Sequence, residues 1–157
     1  MTQTTEANSP IVDADHHLWQ RGEVEHVTED HVRNAYRALA EGNMDMIEMY
    51  WDADMVWLVP GHNQLSGWKY SRQEFLDFMK KVGELSGGSF NMRTITIMTN
   101  DEYSTDVTNN QGTRANDPNK KLNIDVAHVL RWHHGKVIAG KGGIFGDGTA
   151  QYDEFWS

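Results

Sequence analysis

The hydrophobic positions of this chain change rhythm twice, dividing it into an irregular start, a helical stretch and a long strand-rich remainder. Residues 1–27 show neither a period of 2 nor one of 3.6 and read as an N-terminal extension. Val32, Ala35, Tyr36, Leu39 and Ala40 then follow at helical spacing, behind a Thr28 N-cap and the acids Glu29 and Asp30, with Gly42 as the stop. A second short helix covers residues 44–51, turning Ile47 and Tyr50 or Trp51 inward. Met55-Val-Trp-Leu-Val59 is a strand closed by the turn Pro60-Gly61. Ser71, with Glu74 three residues on, makes a capping box for a third helix. Its apolar stripe is Phe75, Phe78, Met79 and Val82, and Gly87-Gly88 ends it.

From there the period is 2. Strands are expected over residues 90–98, within 103–114, over 122–134 and over 137–145, with turns at Pro118-Asn119 and Gly135-Lys136. Residues 150–156 form a last short amphipathic piece. Three helices followed by a meander of long strands predict one α+β domain over residues 28–157, its helices packed on one side of a curved antiparallel sheet.

Composition narrows the partners. At 157 residues with 38% hydrophobic content the chain can bury a real core, while its apolar runs of about five residues are far too short to span a bilayer. The polar start carries no secretory signal, so a cytoplasmic protein is expected. A net charge of -9 argues against nucleic acid and against an anionic membrane surface. The absence of cysteine removes disulfides, thiol nucleophiles and thiolate metal sites. Six tryptophans, five tyrosines and eight methionines serve either as ordinary core or as the lining of a ligand cavity.

Four segments, taken in order, carry a resemblance. They are Tyr36-Arg-Ala-Leu-Ala-Glu-Gly-Asn-Met-Asp45, Asp54-Met-Val-Trp-Leu-Val-Pro-Gly61, Leu65-Ser-Gly67 and Asp125-Val-Ala-His-Val-Leu-Arg-Trp-His-His-Gly-Lys-Val137, with the closing strand up to Asp147. In this order and spacing they resemble the nuclear-transport-factor-2-like superfamily, in its SnoaL-like and ketosteroid-isomerase-like branches. The resemblance implies a cone-shaped curved antiparallel sheet wrapped by three N-terminal helices, open at one end, and a homodimer formed through the outer face of the sheet. It implies fold rather than chemistry, since the superfamily includes isomerases, polyketide cyclases, dehydratases, epoxide hydrolases and silent binding domains.

Candidate chemistry centres on the third long strand. Counting by two places Leu122, Ile124, Val126, His128, Leu130 and Trp132 on one face, apolar except for His128. The resemblance sets His128 where the isomerases carry an acid that hydrogen-bonds the substrate oxygen, so His128 is the first candidate for acid/base work. It aligns Tyr36 with the tyrosine of their oxyanion hole. It also sets Leu58 where they carry the base aspartate, so His62 or Asp147 would have to replace that base. On the last strand Ile138, Gly140, Gly142 and Ile144 are expected on the cavity face, the glycines either leaving room for a wide flat ligand or kinking the sheet. Trp57 and Trp68 would stack on that ligand, and Leu58 and Leu130 complete the expected lining. The expectation is a lyase, dehydratase, isomerase or cyclase without cofactor or metal, acting on a small hydrophobic, aromatic or polyketide-like molecule. A non-catalytic binding domain and an epoxide-type hydrolase are the alternatives. Ile11-Val-Asp-Ala-Asp-His-His-Leu-Trp19 resembles the opening metal motif of amidohydrolases, but Asp15 replaces its first histidine and the chain is too short for their barrel.

Overall fold

Caps written into the sequence set the helix ends. A computed structural model describes residues 26–157. Helix α1 (Glu29–Glu41) starts where the Thr28 hydroxyl accepts from the His31 amide and stops at Gly42, whose φ of 64° is left-handed. Val27 and Val32 flank the cap in the arrangement of a hydrophobic staple, and both are buried in the core. Val27, expected in the extension, therefore belongs to the domain. Helix α2 (Met44–Tyr50) is capped by Asn43. Helix α3 (Arg72–Leu85) is capped by Ser71, and Glu74 reaches back to the Tyr70 amide, one residue before the cap.

The six strands are β1 (Trp51–Val59), β2 (Gly67–Lys69), β3 (Asn91–Thr99), β4 (Tyr103–Arg114), β5 (Asp117–His133) and β6 (Lys136–Ile144). They form a curved, unclosed sheet in the order β2-β1-β6-β5-β4-β3. Every pairing is antiparallel except β1 with β6, which run parallel, so the sheet is mixed rather than wholly antiparallel. The short amphipathic piece expected over residues 150–156 is a fourth helix, α4 (Gly148–Trp156), which packs on β5. Strand β2 has only three residues and no alternation to betray it.

Two turns decide the register. His134 and Gly135 both have positive φ, giving the tight two-residue β5–β6 hairpin. The β4–β5 turn lies at Ala115 and Asn116, not at Pro118-Asn119, because Arg114 pairs with Asp117 and Pro118 falls at the start of β5. A bulge between Arg131 and Trp132 makes Ile138 the extra residue of β6, so Val137 rather than Ile138 enters the core. The inward faces of β1 and β5, with Val32, Ala35 and Ala38 of α1 and Phe75 of α3, make one continuous core. The Trp51 indole ties β1 to α1 by donating to the Ala35 carbonyl at 3.0 Å.

Candidate active site

Between α1, α3 and the concave face of the sheet lies a cavity of about 630 Å³, large enough for a drug-sized molecule. Trp57, Phe75, Phe78, Val82, Val126 and Ile144 supply apolar walls, and the His128 imidazole enters between them. All six expected inward residues of β5 are buried, His128 among them.

His128 is held from behind. Its cross-strand partner on β4 is Asp106, which is 1% exposed. His128 Nδ1 lies 2.8 Å from Asp106 Oδ2, and the Tyr36 hydroxyl donates to Asp106 Oδ1 at 2.7 Å. A carboxylate accepts hydrogen bonds and donates none, so Asp106 draws the imidazole proton onto Nδ1. Nε2 is then the basic nitrogen, and it has no hydrogen-bond partner among the described residues. The Trp57 ring stands with its centroid 5.8 Å from that of His128 and limits how the imidazole can turn.

Among the described residues Asp106 has two hydrogen-bond partners, Tyr36 and His128, and no lysine or arginine beside it. A buried carboxylate in that state is costly, and it gains an ion-pair partner when His128 takes up a proton. Burial first, then the charge of Asp106 and the hydrogen bond to it, hold the Tyr36 phenol well above its ordinary value of 10.0. Tyr36 thus stays protonated with its hydroxyl committed to Asp106. It braces the carboxylate and is not the oxyanion donor expected from its alignment.

Further along the same face of β4, the Thr108 hydroxyl donates to Asn110 Oδ1 at 2.7 Å. This orients the amide and leaves Asn110 Nδ2 without a partner among the described residues, in a side chain that lines the cavity. Asp106 and Asn110 are four residues apart on one strand face, about 13 Å at the usual rise.

Sequence reasoning missed Asp106, Thr108 and Asn110. Ser104, Asp106, Thr108 and Asn110 do alternate inward, yet they are polar on a strand where apolar residues normally mark the inner face. The available signal was an aspartate in the middle of a strand, where aspartate is disfavoured.

Of the expected site residues, the structure gathers His128, Tyr36, Trp57, Gly142 and Ile144 around the cavity. The others lie elsewhere. Leu58 points to the opposite face of β1, paired with Trp68 and Lys141. Trp68 is 46% exposed on the outer side of the sheet, stacked on Tyr70. Leu130 is fully buried core and reaches no cavity. Gly140 makes room for protein rather than ligand, since a Cβ there would overlap the Trp57 ring. His62 is an exposed loop residue whose backbone amide donates to Asp153 at 2.8 Å. Asp147 is exposed at the start of α4 and caps nothing with its side chain. Neither lines the cavity.

The segment Ile11–Trp19 lies outside the described residues. Among the described residues no group of three or more His, Asp or Glu side chains is placed to hold a metal ion. None of the described helices is long and apolar enough to cross a membrane.

The family described as SnoaL-like domain matches residues 32–139. The chain belongs to the SnoaL-like family. Solved structures with its fold include Bal32a from a soil-derived mobile gene cassette, at 23% identity and a TM-score of 0.73, covering 82% of this chain and 95% of that one. A nuclear-transport-factor-2-like protein from Burkholderia xenovorans is 15% identical with a TM-score of 0.67, covering 79% and 93%. IdmH from Streptomyces antibioticus, provisionally assigned as a polyketide cyclase, is 13% identical with a TM-score of 0.64, covering 78% and 96%. Among curated proteins no sequence matches the chain. These likenesses establish the superfamily fold of this SnoaL-like domain, while its chemistry rests on the residues of its own cavity.

Proposed function

We propose that this SnoaL-like protein is a cofactor-independent enzyme in which Nε2 of His128 is a general base. Its substrate is a small hydrophobic molecule, aromatic or polyketide-like, bearing an acidic C–H. The observation that carries the reading is the buried Tyr36–Asp106–His128 chain, with Asp106 1% exposed and both of its oxygens engaged. A merely structural histidine would have both ring nitrogens occupied. This one is anchored through Nδ1 and lines a cavity on its other side.

In the proposed step Nε2 removes the proton from carbon, and the electron pair moves onto the adjacent carbonyl to give an enolate. The imidazolium that forms is met by Asp106, and His128 takes the place of the strand-borne base missing at Leu58. Asn110 Nδ2, about 13 Å further along the strand, is the available donor for a second oxygen at the far end of the substrate rather than for the enolate oxygen. The span from Asp106 to Asn110 suits a substrate two or three fused rings long. The substrate's own substituents then set the fate of the enolate: isomerisation, elimination or ring closure. Because Asp106 is sealed behind His128 and Tyr36, it supports proton transfer from carbon better than activation of water, which disfavours the epoxide-type hydrolase. A homodimer through the outer sheet face, where Trp68, Tyr103 and Val129 stand exposed, belongs to the same proposal.

The test is solvent deuterium exchange at the acidic carbons of a panel of aromatic ketones and polyketide-like compounds, read by proton NMR. The protein should catalyse exchange in at least one class, and His128→Ala should lose about 10²–10⁴-fold of that rate with its circular dichroism unchanged. Equal exchange by His128→Ala, or none by the wild type across the panel, would remove the proposal.

A further inference from the structure

The cavity differs in charge from the rest of the molecule. The chain carries 23 acids and 14 lysines and arginines, yet among the described residues the side chains lining the cavity include no aspartate or glutamate. Among the described residues its lysine, arginine or carboxylate contributions are Arg33 and Arg37. These two, with Tyr36 and Ala40, are spaced i, i+3, i+4 and i+7 along α1, so one stripe of the helix carries the half-buried Tyr36 and both guanidinium groups to the cavity.

Local helix energetics do not account for them. Arg33 is satisfied by Glu29 one turn earlier, at 2.6 Å. Arg37 is not. Its side chain donates to the neutral Asn34 amide oxygen at 2.9 Å and forms no ion pair among the described residues, although Glu41 is one turn further on. Two arginines four apart on one face also repel each other. A helix optimised only for stability would exchange Arg37 for a neutral or acidic residue.

We infer that the cavity takes an aromatic or polycyclic molecule carrying an anionic group, a carboxylate, with its rings against Trp57 and Phe75 and its charge at the mouth on Arg37, Arg33 beside it. This rests on the preceding reading only in taking the cavity as the substrate site. A guanidinium fork matches a carboxylate in two parallel hydrogen bonds. In a protein of net charge -9, a local positive mouth over apolar walls is also what separates an anionic ligand from a neutral one of the same shape.

The test compares naphthoate with acetylnaphthalene, ligands of nearly equal size of which only the first is charged, by isothermal calorimetry. Naphthoate should bind the wild type more tightly, and raised salt should narrow the difference. Arg37→Gln should weaken naphthoate about 3–10-fold and leave acetylnaphthalene unchanged, while Arg93→Gln, a surface arginine of β3 outside the cavity lining, should alter neither. Equal binding of the two ligands, or loss of both together in Arg37→Gln, would overturn the inference, as would no binding of either. Deuterium exchange keeps the two proposals apart. Exchange without anion preference would remove this inference alone, and anion preference without exchange would remove the base and leave the binding site standing.

Discussion

Asp106 decides which nitrogen of His128 can act, so the informative substitution at this position changes hydrogen bonding and keeps shape. Asp106→Asn still accepts from Tyr36, but its amide can donate to Nδ1, which moves the ring proton to Nε2 and blocks the base. Exchange or turnover should fall about 10²–10⁴-fold while the thermal unfolding profile remains cooperative. Tyr36→Phe removes one of the two hydrogen bonds to Asp106 and keeps the ring packed on Trp51. It should lower the rate about tenfold or less, because the hydroxyl donates to the carboxylate and not to the substrate. The same residue carries a stability signature. Burial holds both Tyr36 and Tyr152 above the ordinary 10.0 of a phenol, so the folded chain keeps protons that the unfolded chain gives up. Their contribution is complete below pH 10 and is lost as pH rises beyond it, so the melting temperature should fall steeply there. In Tyr36→Phe that alkaline fall should be shallower.

At the scale of elements, two glycines of β6 that look alike in sequence do opposite things. Gly140 lies under the Trp57 ring, and Gly140→Ala should cost about 1–3 kcal/mol in denaturant unfolding, since the indole or the strand must move. Gly142 lies beside His128 with ordinary clearance of 3.4 Å for a Cβ. Gly142→Ala should leave stability within about 0.5 kcal/mol of wild type and reduce the space next to the imidazole, weakening aromatic ligands. The helices were legible because Thr28, Gly42 and Ser71 are end signals that act locally. The inner face of β5 was legible because its residues alternate without interruption. The carboxylate behind His128 was not, because finding it needs the β4–β5 register. A tight turn at Pro118-Asn119 would set His128 opposite Asn109, whereas the turn at Ala115-Asn116, with its bulge, sets it opposite Asp106. Turn position is fixed by pairing across the whole hairpin, and proline near a strand start is compatible with either choice.

For the whole molecule, the curved sheet separates two surfaces with different fates. The concave side closes under α1 and α3 into the cavity, and the convex side leaves Trp68, Tyr103 and Val129 uncovered around a shallow groove. Sedimentation should report a dimer, and Val129→Lys should convert it to a monomer that keeps its circular dichroism. A monomeric wild type would place these side chains as isolated surface residues. The fold and the position of His128 followed from the order of elements, while the charge of the cavity emerged only when residues distant in sequence were brought to one mouth. All of the proposed chemistry passes through a single proton position, and nitrogen-15 NMR of histidine-labelled protein reads it directly. The His128 ring should carry its proton on Nδ1, with Nε2 a bare acceptor, and Asp106→Asn should reverse the two. A proton resident on Nε2 in the wild type would contradict the account.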